Sequence, residues 1–164
     1  MKKQLLHSGW QLTTVGKNDT IPATVPGSVY NDLLNAGRME DPYWRDNEMK
    51  ALALMDEDYR YNTTFDVNAD VLNSERVLLR CEGLDTIADI VLNGEKIASV
   101  CNMHRTWEFD VKDSLKTTGN TLEIVFHSPT KYIKEQDKIC HAGGSDEAMV
   151  GFPNLRKAHC MFGW

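Results

Sequence analysis

Apolar and polar residues alternate with a period of two through stretch after stretch of this chain, and that pattern limits what it can fold into. In DYRYNTTFDV, Tyr59, Tyr61, Thr63, Phe65 and Val67 fall on one parity, with Arg60, Asn62, Thr64 and Asp66 on the other. RTWEFDV alternates Trp107, Phe109 and Val111 with Glu108 and Asp110, and NTLEIVF repeats the pattern with Leu122, Ile124 and Phe126. An extended backbone sends successive side chains to opposite faces, so each stretch reads as a strand with one buried face in an antiparallel sheet. RVLLRC, from Arg76 to Cys81, predicts another strand. In TIADIVLNGEKIASV the dipeptide Asn93-Gly94 supplies two residues that tolerate positive φ, as a type I′ hairpin turn demands. The closing run RKAHCMFGW alternates too, with Cys160, Phe162 and Trp164 opposite Lys157, His159 and Met161, and it stops with no turn signal. The sequence is therefore expected to be a fragment.

Helical signals are fewer. PGSVYNDLLNAG predicts one short helix, with Ser28 as N-cap, Val29, Leu33 and Leu34 as its apolar stripe and Gly37 as its stop. PTKYIKEQDKI predicts a second, opened by Pro129, with Tyr132, Ile133, Gln136 and Ile139 at helical spacing. DPYWRDNE and HAGGSDEAMVGFPN read as ordered loops. No repeat, low-complexity tract or linker interrupts residues 1–164, which are expected to form a single domain. Seven or eight short strands with two or three short helices imply an all-β, antiparallel β-sandwich, most plausibly a jelly roll.

Bulk properties exclude several classes. At 41% hydrophobic and 26% charged, the 164 residues suit a folded domain. A net charge of −6 argues against nucleic acid as a partner. No apolar run is long enough for a membrane-spanning helix. MKKQLLHSGWQL has no hydrophobic core after its lysines, so no secretory signal is expected and the cytoplasm is the expected location. Cys81, Cys101, Cys140 and Cys160 lack close spacing; they read as reduced thiols, two or three of them in the core.

Chemistry within the chain is hard to find. Glycoside hydrolysis needs two carboxyl groups facing one sugar, but Asp56-Glu57-Asp58 and Asp146-Glu147 read as solvated turns and no pair stands out. Ser28 lacks the context of a nucleophile elbow, and no glycine-rich phosphate motif is present. Cys140-His141 and His159-Cys160 are adjacent soft ligands, yet neighbours on a strand point apart and no ligand spacing supports them. No catalytic residue, metal site or cofactor is expected. Four tryptophans remain. Trp10 and Trp107 read as core anchors, whereas Trp44 and Trp164 are open to stacking on a sugar.

Five segments together carry a resemblance. PATVPGSVYNDLLNAGRMEDPYWRDNE, GLDTIADIVLNG, NMHRTWEFDV, NTLEIVFHSP and RKAHCMFGW resemble, in this order, the N-terminal domain of family 2 β-mannosidases. GLDTIADIVLNG is generic to family 2 glycosidases, while PATVPGSVYNDLL and RKAHCMFGW narrow the resemblance to the mannosidase branch. It implies a galactose-binding-domain-like jelly roll, called sugar-binding in the family, ahead of an immunoglobulin-like sandwich and a TIM barrel. Such enzymes are retaining exo-glycosidases that remove terminal β-linked mannose, with two catalytic glutamates on the barrel and none in this chain. In the family the last motif continues F-G-W-D-W-G-P into the active site, so the resemblance assigns Trp164 to substrate binding. His159 departs from a glutamine frequent among relatives, and Arg45 stands in a loop where glycine is common.

The leading expectation is a non-catalytic domain that braces the barrel and lends Trp164 to the mannoside pocket. Two alternatives remain open: an independent carbohydrate-binding module, and a purely structural interdomain module.

Overall fold

A computed structural model describes residues 2–141 and 152–157. Its strands are β1 (Gln11–Thr14), β2 (Thr20–Pro22), β3 (Tyr59–Phe65), β4 (Leu78–Glu82), β5 (Ile87–Leu92), β6 (Glu95–Cys101), β7 (Thr106–Asp110) and β8 (Asn120–Phe126). The helices are α1 (Val29–Asn35), α2 (Asn47–Leu54), the single turn α3 (Ala69–Leu72) and α4 (Pro129–Ile139). Six strands form one sheet in the order β2-β1-β3-β8-β5-β6, and β4 pairs with β7 in a second. Every pairing is antiparallel. This is the all-β sandwich that the alternation predicts.

Register follows burial. Leu12 stands opposite Tyr61, Tyr61 opposite Ile124, and Ile124 opposite Ile90, so one row of inward side chains crosses four strands. Leu92 and Leu122 form the next row. Slipping any pair by one residue would turn these side chains to solvent and bring Arg60, Glu123 or Asp89 into the core, and that cost fixes the pairing. Ile90 is fully buried and Leu12 and Leu92 nearly so. The small sheet closes the core from the other side with buried Cys81 and partly buried Leu79, Trp107 and Phe109. The last two rings stack nearly parallel, 6.5 Å apart.

The local signals take the forms expected of them. Asn93 and Gly94 have φ of 54° and 84°, as the primed turn between β5 and β6 requires. Ser28 Oγ accepts from the Asn31 N–H at 3.3 Å, and beyond α1 the Arg38 N–H donates to Leu33 O and the Gly37 N–H to Leu34 O. That pair of bonds is a Schellman stop, with Gly37 in the left-handed region at φ 66°. Ser128 caps α4 in the same way as Ser28 caps α1, and Pro129 opens it.

Three features differ from expectation. Helix α2 begins inside DPYWRDNE, which the sequence reads as a loop, and α3 adds a further turn. Helix α2 escapes notice because apolar residues lie on both its faces, with Ala51 buried and Met49 and Leu52 exposed. Trp107 is half-buried rather than a closed core anchor, because the two-stranded sheet covers one side of it. Among the described cysteines Cys81 alone is buried, while Cys101 and Cys140 are exposed, against an expectation of two or three in the core. Cys101 sits at the end of edge strand β6, where its parity faces outward. The alternation Cys160–Phe162–Trp164 lies outside the described residues.

Candidate functional site

One end of the large sheet carries a cluster of charged and hydroxyl side chains. It is the end formed by Thr14, Tyr59, Phe126, Ala88 and Cys101, where β3 and β5 begin and β1, β6 and β8 finish. Helix α4 starts here directly after β8. The carbonyl after α2, Met55 O, accepts from Ser128 Oγ at 2.5 Å, which ties the two helices together. Residues 152–157 also come to rest here. Leu155 is buried, Asn154 Nδ2 lies 3.5 Å from Asp137 Oδ1 of α4, and Lys157 Nζ lies 3.2 Å from Asp85 Oδ1. The Lys157–Asp85 ion pair joins the root of RKAHCMFGW to the GLDTIAD segment, two motifs far apart in sequence. Both side chains are less than a third exposed, so solvent screens the pair less than an ordinary surface bridge.

At the centre of this end each ring nitrogen of His127 faces a carboxylate, Asp58 Oδ2 at 3.3 Å and Asp89 Oδ2 at 3.1 Å. Burial works against ionising Asp58, but the Ser128 N–H, His127 and Lys131 outweigh it and hold its pKa below the usual value. Burial opposes ionisation at Asp89 too. There, hydrogen bonds from Lys96, Ser99 and His127 prevail and bring the pKa down to about 2. Asp56 and Glu57 do lie in a turn with Asp56 exposed, as the sequence predicts, but the run also ties elements together through Asp58. Glu57 bonds Lys17 at 2.7 Å, and Thr130 Oγ1 donates to Asp56. The cluster does not form a nucleophilic triad: Ser99 Oγ donates to Asp89 and not to the imidazole, so no base is placed to take its proton.

Other sequence candidates scatter. Trp10 is buried, and its indole N–H donates to Leu6 O at 2.7 Å. Trp107 carries the Arg105 guanidinium 4.3 Å from its ring centroid. Trp44 is 64% and Tyr43 96% exposed in the turn before α2. Arg45 has φ 57°, in the left-handed region where glycine is unstrained. His141 bonds Asp137 at 3.1 Å, one helical turn back, and Cys140 beside it is exposed. Burial pushes the Cys81 thiol up to about 11, which makes it a poor nucleophile. No three described His, Cys, Asp or Glu residues come together as a metal site. His159, Cys160, Asp146, Glu147 and Trp164 lie outside the described residues.

Shallow depressions on the described surface include two that bear on ligand binding. One of about 340 Å³ lies between Arg38, Glu40 and α2. The other, about 290 Å³, lies on the polar outer face of β1, β3 and β8 among Gln11, Arg60, Asn62 and Glu123. Neither has an aromatic ring in its lining, so neither offers the stacking platform that an independent sugar site would use.

The family described as "Glycosyl hydrolase 2 galactose-binding domain-like" matches residues 10–164. The chain belongs to that family. Within the glycosyl hydrolase 2 relatives, a crystal structure of a β-D-mannosidase from Dictyoglomus thermophilum superposes with a TM-score of 0.89 at 35% identity, covering 97% of this chain and 20% of that one. A β-mannosidase from Bos taurus is 31% identical over 97% of this chain, which accounts for 19% of the bovine protein. β-Mannosidase A of Emericella nidulans is 38% identical over 73% of this chain and 13% of its own length. An exo-chitosanase from Amycolatopsis orientalis shares the fold alone, at 20% identity and a TM-score of 0.63. The chain thus spans about a fifth of the length of the β-mannosidases it matches. This glycosyl hydrolase 2 domain places the Asp58–His127–Asp89 cluster and the root of its last motif at one end of the sandwich. Sequence reasoning missed the Asp58–His127–Asp89 cluster and the Lys157–Asp85 pair because their members are far apart in the chain.

Proposed function

We propose that the chain is the non-catalytic N-terminal domain of a retaining exo-β-mannosidase, in which a separate barrel removes terminal β-linked mannose. The observation that carries this reading is the β-D-mannosidase superposition across 97% of this chain, to which the chain corresponds over one fifth of the length. Its role is to brace the barrel, with an immunoglobulin-like domain between them, and to lend Trp164 to the mannoside pocket. The Lys157–Asp85 pair supports that role by holding the start of RKAHCMFGW on the sandwich. Cytoplasmic residence accompanies this reading, since the free thiols Cys81, Cys101 and Cys140 suit a reducing compartment. Among the described residues no helix is long and apolar enough to cross a membrane.

The test is turnover of a chromogenic β-mannoside. The full-length polypeptide should hydrolyse it and the 164-residue chain should not, even at high concentration. Turnover by the chain alone that disappears when one of its own acids is substituted would overturn the proposal.

A further inference from the structure

Tyr43, Trp44, Met49 and Leu52 are 96%, 64%, 65% and 46% exposed, and they fall within ten residues of one another. Met49 and Leu52, three apart, share the face of α2 opposite Asn47 and Ala51, which are buried. None of this is a frayed terminus. Helix α2 is pinned from beneath: Tyr30 Oη donates to Ala51 O at 2.7 Å, Tyr59 Oη to Leu54 O at 2.9 Å and Ser128 Oγ to Met55 O at 2.5 Å. The turn before it is held as firmly, because Asp41 Oδ1 accepts the Tyr43 N–H and Asp41 O accepts both the Trp44 N–H and Asn47 Nδ2. Apolar side chains are thus presented outward by an ordered scaffold.

We propose that the Tyr43–Trp44 turn and the outer face of α2 form the core of the surface on which the remainder of the full-length polypeptide packs. This inference rests on the reading of the chain as one domain of a longer β-mannosidase and names the surface that does the bracing. Two observations select that occupant. The matched β-mannosidases carry about four-fifths of their length outside the region corresponding to this chain. The C-terminal end of α2 and the anchored Lys157 also share the Tyr59 end of the sheet. The composition fits a protein face: Tyr, Trp, Met and Arg are enriched at interface cores, and the Arg45 guanidinium lies 5.7 Å from the Trp44 ring. A glycan is a poorer match. The two rings line neither of the two depressions described above, and the patch continues into the aliphatic Met49 and Leu52, which offer a hydroxylated ligand no polar partner.

Hydroxyl-radical footprinting read by mass spectrometry tests this, comparing the 164-residue chain with the full-length polypeptide in the absence of sugar. Tyr43, Trp44 and Met49 should be labelled in the chain and lose that labelling in the full-length protein. Equal labelling in both would overturn the proposal. So would protection of the chain alone that grows with its concentration, which would assign the patch to a second copy. Protection that appears on adding a manno-oligosaccharide, and not otherwise, would assign it to a glycan and overturn it too. Shielding needs no turnover: a full-length polypeptide inactive on β-mannosides that still shields these residues would sink the functional reading and leave the packing surface standing.

Discussion

Asp32 is 2% exposed on α1, yet its carboxyl is fully engaged. Oδ1 accepts the Thr24 N–H at 2.9 Å and Oδ2 accepts the Tyr61 hydroxyl at 2.8 Å. The contact ties α1 to the centre of the large sheet, where Tyr61 also meets Phe126 edge-to-face at 5.8 Å. Burial pushes the Tyr61 hydroxyl pKa far up, and Asp32 adds to the shift, so Tyr61 stays a neutral donor at any ordinary pH. Tyr61→Phe keeps the ring packing and removes the donor. It should destabilise the domain by roughly 1–3 kcal/mol, because a buried acceptor is left unmatched. Urea denaturation of the chain measures this, and an unchanged midpoint would show that the Asp32 contact contributes nothing.

At the scale of elements, the β5–β6 hairpin is held by more than its turn. Asn93 Nδ2 donates to Ser114 O and to Asn120 Oδ1, and Asn93 Oδ1 accepts the Thr121 N–H. Asn120, with none of its surface exposed, answers with bonds to both Lys116 N and Lys116 O, which fastens the 3-10 turn Lys112–Ser114 to the start of β8. At the opposite end of the same strands, Asp89 joins β5 to β6 through Ser99 and Lys96 and to β8 through His127. Its folded pKa, about 2, lies below the roughly 3.9 of an unfolded chain. The stability it contributes is therefore present above about pH 4 and lost as pH falls toward 2. With Lys96 about half exposed, the contribution is on the order of 1–2 kcal/mol. Asp89→Asn should lower the urea midpoint at pH 7, and the gap from wild type should close by about pH 2. A gap that persists unchanged at pH 2 would show that the carboxylate's charge is not what joins the strands.

For the molecule as a whole, one end of the sandwich is where distant segments meet. The large sheet, α4 and residues 152–157 converge there, and the exposed face of α2 stands beside them. If the last motif reaches a mannoside pocket on another domain, Trp164→Ala in the full-length enzyme should cost about 1–3 kcal/mol of transition-state stabilisation, or roughly 5–150-fold in kcat/KM. An aromatic ring gives a sugar's C–H face apolar contact, and Gly163 beside it lets the backbone approach a ligand closely. Global stability should barely change. A near-normal kcat/KM with a large fall in Tm would place the ring in a core instead.

Much of this architecture was legible from periodicity and local chemistry alone. Strands β3, β5, β7 and β8, the Asn93-Gly94 turn, the Ser28 cap and the whole of α4 follow from signals within about ten residues, because alternation, capping and turn formation are short-range effects. The family motifs were equally visible. What the sequence could not decide is how distant segments meet. Helix α2 carries no clean apolar stripe, since one of its faces packs on the domain and the other is apolar but open, and it holds because Tyr30, Tyr59 and Ser128 reach it from elsewhere in the fold. Asp58, Asp89 and His127 look like ordinary surface residues in a line of text. Antiparallel register sets β5 and β3 on either side of β8 and thereby brings the three together. Lys157 and Asp85 lie outside the strands; they meet because the segment after the 3-10 turn Phe152–Asn154 comes back beside the start of β5. A side chain's parity is written locally, but its partner is chosen by the register of the whole sheet, and that register is settled when the core row from Leu12 to Ile90 is buried together.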